Sequence, residues 1–182
     1  MLFASCTGAL AQGSPDVPDG VTLAVVTKGI CDDLLRNREQ AEAFLKTRAI
    51  PVDAAGFRRI DPSAEKAYNM FVAGRMFAIV FRTNRSCGVY ARTFRDIDSA
   101  SGNFLKTYQE RSPGTVCERQ PAPVEQIGER LHCLTPARPD GTATYVIMST
   151  AADPQQRGFA GLTSAFTVNY EDTKRNFQTS NP

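Results

Sequence analysis

The cysteines constrain this chain more than any other feature. Five occur, at positions 6, 31, 87, 117 and 133. The first lies in a segment with the look of a removable leader, so an even four remain for the folded part, the number an oxidising compartment favours. Four cysteines allow three pairings, and the spacing favours Cys31–Cys87 and Cys117–Cys133. The second pair flanks a Pro- and Gly-containing stretch between two strand-like runs, 114–119 and 129–135, so the bond would staple a wide hairpin. Closing that loop is worth about 3 kcal/mol in the chain-entropy picture, and the longer 31–87 loop about 4 kcal/mol. Metal chemistry is a poorer account of the same residues. Cys-x-x-Cys is absent, and the single histidine, His132, points to the opposite side of a strand from Cys133.

Residues 1–13, MLFASCTGALAQG, are small, apolar and uncharged, and Ala9-Leu10-Ala11 has the small-x-small pattern of a signal-peptidase site. Residues 13–20 then turn polar and rich in Gly and Pro. The expected organisation is an export-signal remnant and flexible leader over 1–20, a single domain over 21–170 and a frayed tail over 171–182. The location that follows is periplasmic or secreted. A rival reading takes Phe3-Ala4-Ser5-Cys6 as a lipobox-like sequence, with Cys6 lipidated and the domain tethered to a membrane. No stretch approaches 18 consecutive apolar residues, so no transmembrane helix is expected.

At 182 residues the chain suits one domain. Lys+Arg 21 against Asp+Glu 19 leaves a net charge of +2, far from the basic excess of a dedicated nucleic-acid binder. Nucleophile elbows, phosphate-binding glycine loops, zincin helices and EF-hand loops are all missing, so no cofactor is indicated.

Local patterning predicts an α+β domain, an antiparallel sheet with two or three helices packed on one face. Residues 21–26 are β-branched and read as a first strand. Asp32 or Asp33 then caps a helix running to about Thr47, on the spacing of Leu34, Leu35, Ala41, Phe44 and Leu45. Asp61-Pro62 opens a second helix closed by Gly74. A third starts near Asp96 or Asp98, carries Phe104, Leu105 and Tyr108, and ends before Pro113. Between the last two, residues 75–82 and 87–94 form a hairpin through Thr83-Asn84-Arg85-Ser86. With Arg82 facing Cys87, Phe77, Ile79 and Phe81 share a face with Tyr90, Arg92 and Phe94. Both faces are largely apolar, so this hairpin belongs in the middle of its sheet. Runs 115–119, 129–135 and 142–150 follow as meander strands, and 162–170 as an edge strand.

The hairpin carries the best candidate surface. Residues 57–95 hold Arg58, Arg59, Lys66, Arg75, Arg82, Arg85, Arg92 and Arg95 against Asp61 and Glu65, a local excess of six positive charges. Arg75, Arg82, Arg85 and Arg92 beside Phe77, Phe81, Tyr90 and Phe94 have the composition of a surface that accepts a protein partner or small anionic ligand and desolvates it against apolar walls. The leading expectation is therefore a non-enzymatic binding module. The alternative is a small hydrolase-like enzyme centred on His132, with Glu118 brought opposite it if Cys117 and Cys133 pair in antiparallel register. Asn84-Arg85-Ser86 also fits the glycosylation acceptor pattern, a short match that arises easily by chance.

Overall fold

The computed structural model describes residues 17–32, 35–122, 124–157 and 159–179. The strands are β1 (Ile50–Val52), β2 (Ala64–Val72), β3 (Arg75–Arg82), β4 (Cys87–Ala91), β5 (Val116–Gln120), β6 (Ile127–Leu134), β7 (Thr142–Ala151) and β8 (Gly161–Asn169). The helices are α1 (Asp19–Val26), which runs into a π-helical turn (Thr27–Asp32), α2 (Arg38–Arg48), α3 (Ala54–Phe57), α4 (Ala100–Arg111), α5 (Pro154–Arg157) and α6 (Tyr170–Thr179). All eight strands join one antiparallel sheet in the order β1-β2-β3-β4-β8-β7-β6-β5. Each half is a four-strand meander, and the halves meet through their last strands, where Val89 lies opposite Thr163. The β3–β4 hairpin is thus central, as its apolar faces require. Strand β8 is interior too, rather than an edge, with Gly161, Thr163 and Ala165 buried on one side.

Both expected disulfides are present. Cys31–Cys87 ties the π-helical turn to the start of β4, with Cα atoms 5.4 Å apart. Cys117–Cys133 bridges directly opposed residues of β5 and β6. The α+β architecture stands with them.

Helices α1 and α4 pack against each other on one face of the sheet, and between them lies the main core: Leu23, Phe77, Ile79, Val89, Phe104, Tyr108, Val146 and Met148, all at most 1% exposed. Residues 21–26 are therefore helix and not the expected strand. Thr22, Leu23, Ala24 and Val26 are all buried, so α1 has no polar stripe to betray a helical period, and β-branched content alone misleads. The helix also begins at Asp19, inside what reads as leader. Residues 1–16, with the expected export signal, the lipobox-like stretch and Cys6, lie outside the described residues.

Three further expectations are corrected by the same structure. Residues 61–74 form β2 and its flanking turns, not a helix: hydrogen bonding to β3 overrides a weak helical pattern, and Ala73 and Gly74, both at positive φ, make a two-residue hairpin turn. Helix α2 begins at Arg38, capped by Asn37, whose side chain accepts from Gln40 N at 3.1 Å. Asp32 is instead buried, paired with Lys28 and with Arg138 at 3.0 Å, while Asp33 and Leu34 lie outside the described residues. The segment after Tyr170 is helical, and Phe177 of α6 stacks edge-on against Tyr145, ring centroids 5.9 Å apart.

Candidate functional site

The hairpin register decides which side chains meet on the open face of the sheet. Phe81, not Arg82, lies opposite Cys87, and Phe77 lies opposite Ala91. The faces are thereby exchanged relative to expectation. Phe77 and Phe81 share the helix-covered face with Cys87, Val89 and Ala91, and both are buried in the core. Met76, Ala78, Val80 and Arg82 share the second face with Tyr90. The turn accounts for the shift: Arg82 N donates to Ser86 O, and Asn84 Oδ1 accepts from Ser86 N and Oγ, so Arg82 and Ser86 close the loop.

On that second face a polar network is fixed below the surface. Asp61 Oδ2 accepts from Arg82 Nε at 2.6 Å and Tyr90 Oη at 2.8 Å, and Oδ1 accepts from Ser63 N at 3.1 Å and Ser63 Oγ at 2.6 Å. Arg82 Nη1 reaches Ser86 Oγ at 3.3 Å. Burial alone would push the Asp61 carboxyl up; hydrogen bonds from Ser63 and Arg82, with the Arg82 charge, outweigh it and hold the group below the usual carboxylate range. Burial pushes the Tyr90 phenol up to about 12, against the opposing pull of Arg82. Asp61 is thus no helix cap. It is the anchor that holds Arg82 and Tyr90 in place.

Tyr90 forms the floor of an apolar groove of about 380 Å³, walled by Val52, Phe57, Ile60, Met76, Ala78 and Phe159, with Asn69 and Arg92 alongside. Phe57 and Phe159 both meet the Tyr90 ring edge-on, at centroid distances of 5.4 and 5.5 Å. Ile60 is 51% exposed and adds open apolar surface to the groove. A second cleft shares Ile60, Tyr90 and Phe159 and continues past Leu162 towards Ser149 and Thr150. Arg92 is exposed and has no ion pair among the described residues.

The other hairpin residues separate. Arg75 is paired with Asp19, Nε to Oδ1 at 2.6 Å, and its Nη1 donates to Val17 O. Phe94 packs over Gly161, where a Cβ would sit 2.2 Å from its ring. Arg85 stands exposed at the turn. The structure therefore brings Arg82, Tyr90 and Arg92 to one face and leaves Arg75, Phe77, Phe81, Arg85 and Phe94 elsewhere. Phe57, at the end of the one-turn helix α3, and Ile60 and Phe159, in irregular segments, are absent from the sequence-based surface and have no periodicity to expose them. For the two aromatics the only signal is a ring following a glycine, in Gly56-Phe57 and Gly158-Phe159, and Ile60 has none.

His132 does lie opposite Glu118, and the cleft over them, about 380 Å³, is roofed by Thr173, Asn176 and Phe177 of α6. Its ring nitrogens are both withdrawn from solvent in effect: Nδ1 shares a hydrogen bond with Tyr145 Oη at 2.5 Å, and Nε2 is buried without a hydrogen-bond partner. Burial, then the Arg130 charge, lowers the imidazole pKa. A general base needs a nitrogen within reach of the proton it takes; here Nδ1 is shared with Tyr145 Oη and Nε2 is buried. Among the described residues no group of three or more His, Cys, Asp or Glu side chains could hold a metal ion, and no helix is long and apolar enough to cross a membrane.

Comparison with protein-family models, with curated proteins and with solved structures gives no match for this chain.

Proposed function

We propose that this protein is a non-catalytic binding module whose second sheet face takes an apolar ligand, or an apolar side chain of a partner, that carries an anionic group. The observation that carries this reading is the groove over Tyr90 with Arg92 beside it. Apolar walls remove the ligand's hydrocarbon from water, and the unpaired guanidinium receives its charge. The buried Asp61–Arg82–Tyr90 network makes the floor rigid, so the site is formed before the ligand arrives. The proposed setting is the periplasm or the extracellular medium, in keeping with two disulfides, with a lipid tether at Cys6 as the alternative. Intact mass of the mature protein separates those two.

Anilinonaphthalene sulfonate, an apolar anion, tests the site. Its fluorescence should rise saturably with the protein, be displaced by decanoate, weaken about tenfold with Arg92→Ala and vanish with Ile60→Asp. Fluorescence unchanged by both substitutions defeats the reading.

A further inference from the structure

A separate basic cleft lies at the turn end of the hairpin. Its volume is about 420 Å³, and it is lined by Leu35, Arg36, Arg38, Phe81, Arg85 and Ser86, three arginines and, among the described residues, no carboxylate. The charge of Arg38 is already matched, by Glu42 at 3.0 Å and Glu65 at 2.9 Å, and its guanidinium sits 5.6 Å from the Phe81 ring centroid. Arg36 and Arg85 are exposed and have no ion pair among the described residues. Two guanidinium groups without an ion pair among the described residues therefore share one cleft beside half-buried Leu35.

Arg85 is held there against its own backbone preference. It has φ 60°, the left-handed region that glycine and asparagine tolerate and arginine disfavours. Either of those residues would close the turn with less strain, so what arginine adds at this position is its head group. Arg85 thus carries its head group to the cleft at a cost in backbone conformation.

We propose that this cleft binds a small phosphomonoester. Two unmatched positive charges balance a group carrying −1.5 to −2 near neutral pH. The planar forks of two guanidinium groups match phosphate oxygens, and half-buried Leu35 receives the organic part of the ester. The site is distinct from the groove at Tyr90, which lies on the other face and uses Arg92.

Phenyl phosphate, inorganic phosphate and benzoate separate the possibilities when titrated into the full chain at low salt, with binding followed through the arginine Nε–H resonances. Phenyl phosphate should bind at least about tenfold more tightly than benzoate or inorganic phosphate, and Arg36→Ala and Arg85→Gly should each weaken it about tenfold. Arg85→Gly relieves the left-handed strain, so its thermal midpoint should match or exceed that of the parent, and lost binding is then not lost folding. Arg92→Ala should leave unchanged the shifts that phenyl phosphate causes at the Arg36 and Arg85 Nε–H resonances. Three results overturn the proposal: no binding at millimolar concentration, binding indifferent to both arginine substitutions, or inorganic phosphate binding as tightly as the ester.

Discussion

The guanidinium of Arg82 occupies the space that a side chain on Gly88 would need: a Cβ at Gly88 would sit 2.5 Å from Arg82 Nη2 and 3.0 Å from its Cζ. The bare backbone of β4 is what allows an arginine to be buried on the sheet, between Asp61 and Tyr90. Gly88→Ala should therefore act through Asp61, by displacing its cation and leaving a buried carboxylate uncompensated. Breaking such a pair costs about 3–5 kcal/mol. Chemical denaturation should show this loss for Gly88→Ala and for Arg82→Ala alike. Because both remove the same interaction, the double variant should be scarcely worse than either single one. Additive losses would show that Gly88 and Arg82 act independently.

Tyr90 supplies an alkaline signature. Its phenol is raised to about 12, first by burial, against about 10 in an unfolded chain. A group whose folded pKa is raised contributes stability that is complete below pH 10 and disappears as pH climbs towards 12, at most about 3 kcal/mol. Ultraviolet titration should find one tyrosine ionising well after exposed ones, and thermal midpoints should fall across that interval. Tyr90→Phe should flatten the fall. A flat parent curve between pH 10 and 12 would contradict the burial argument.

His132 supplies the acid counterpart with the opposite sign. Its folded pKa is lowered, mainly by burial, so the unfolded chain binds the extra proton first. The stability it contributes is complete above about pH 6.5 and is lost as pH falls from there through the folded value. The thermal midpoint should drop between pH 7 and 5, and His132→Gln should remove most of the drop. An identical drop in His132→Gln would assign the acid sensitivity to other groups.

Elements whose two environments differ were legible in the sequence, and elements with uniform surroundings were not. Helix α4 shows Phe104 and Tyr108 buried against Lys106 and Glu110 exposed, and its pattern was read correctly. Helix α1 is buried nearly all round and its deciding contacts, with α4, are far away in sequence; the Asp61-Pro62 start of β2 imitates a helix cap and hides a strand whose partner β3 follows after a two-residue turn. The disulfides were legible because parity and spacing leave few choices. The hairpin surface was only half legible. A one-residue change in register turns every side chain to the other face, so placing Arg82 opposite Cys87 put Phe77 and Phe81 on the open side. The groove walls from Phe57, which ends a one-turn helix, and Phe159, in a loop, depend on short segments that no periodicity encodes.

Two positions with opposite geometry give substitutions of opposite sign. At Gly20, where α1 crosses α4, a Cβ would sit 2.0 Å from the Ala100 carbonyl oxygen and 2.8 Å from Phe104 N, both backbone atoms that cannot swing aside. Gly20→Ala must push the helices apart, which for overpacking of a tight core costs about 1–3 kcal/mol. Ala73 is the reverse case: it occupies the first central position of the β2–β3 turn at φ 52°, followed by Gly74 at φ 72°. That turn prefers Asn-Gly, and Ala73→Asn replaces a strained residue with one that tolerates the left-handed region, for a gain of about 0.5–1 kcal/mol. Denaturation midpoints should move down for the first and up for the second. A midpoint that rises with Gly20→Ala would mean that α1 and α4 do not approach as closely as the contact at Ala100 requires.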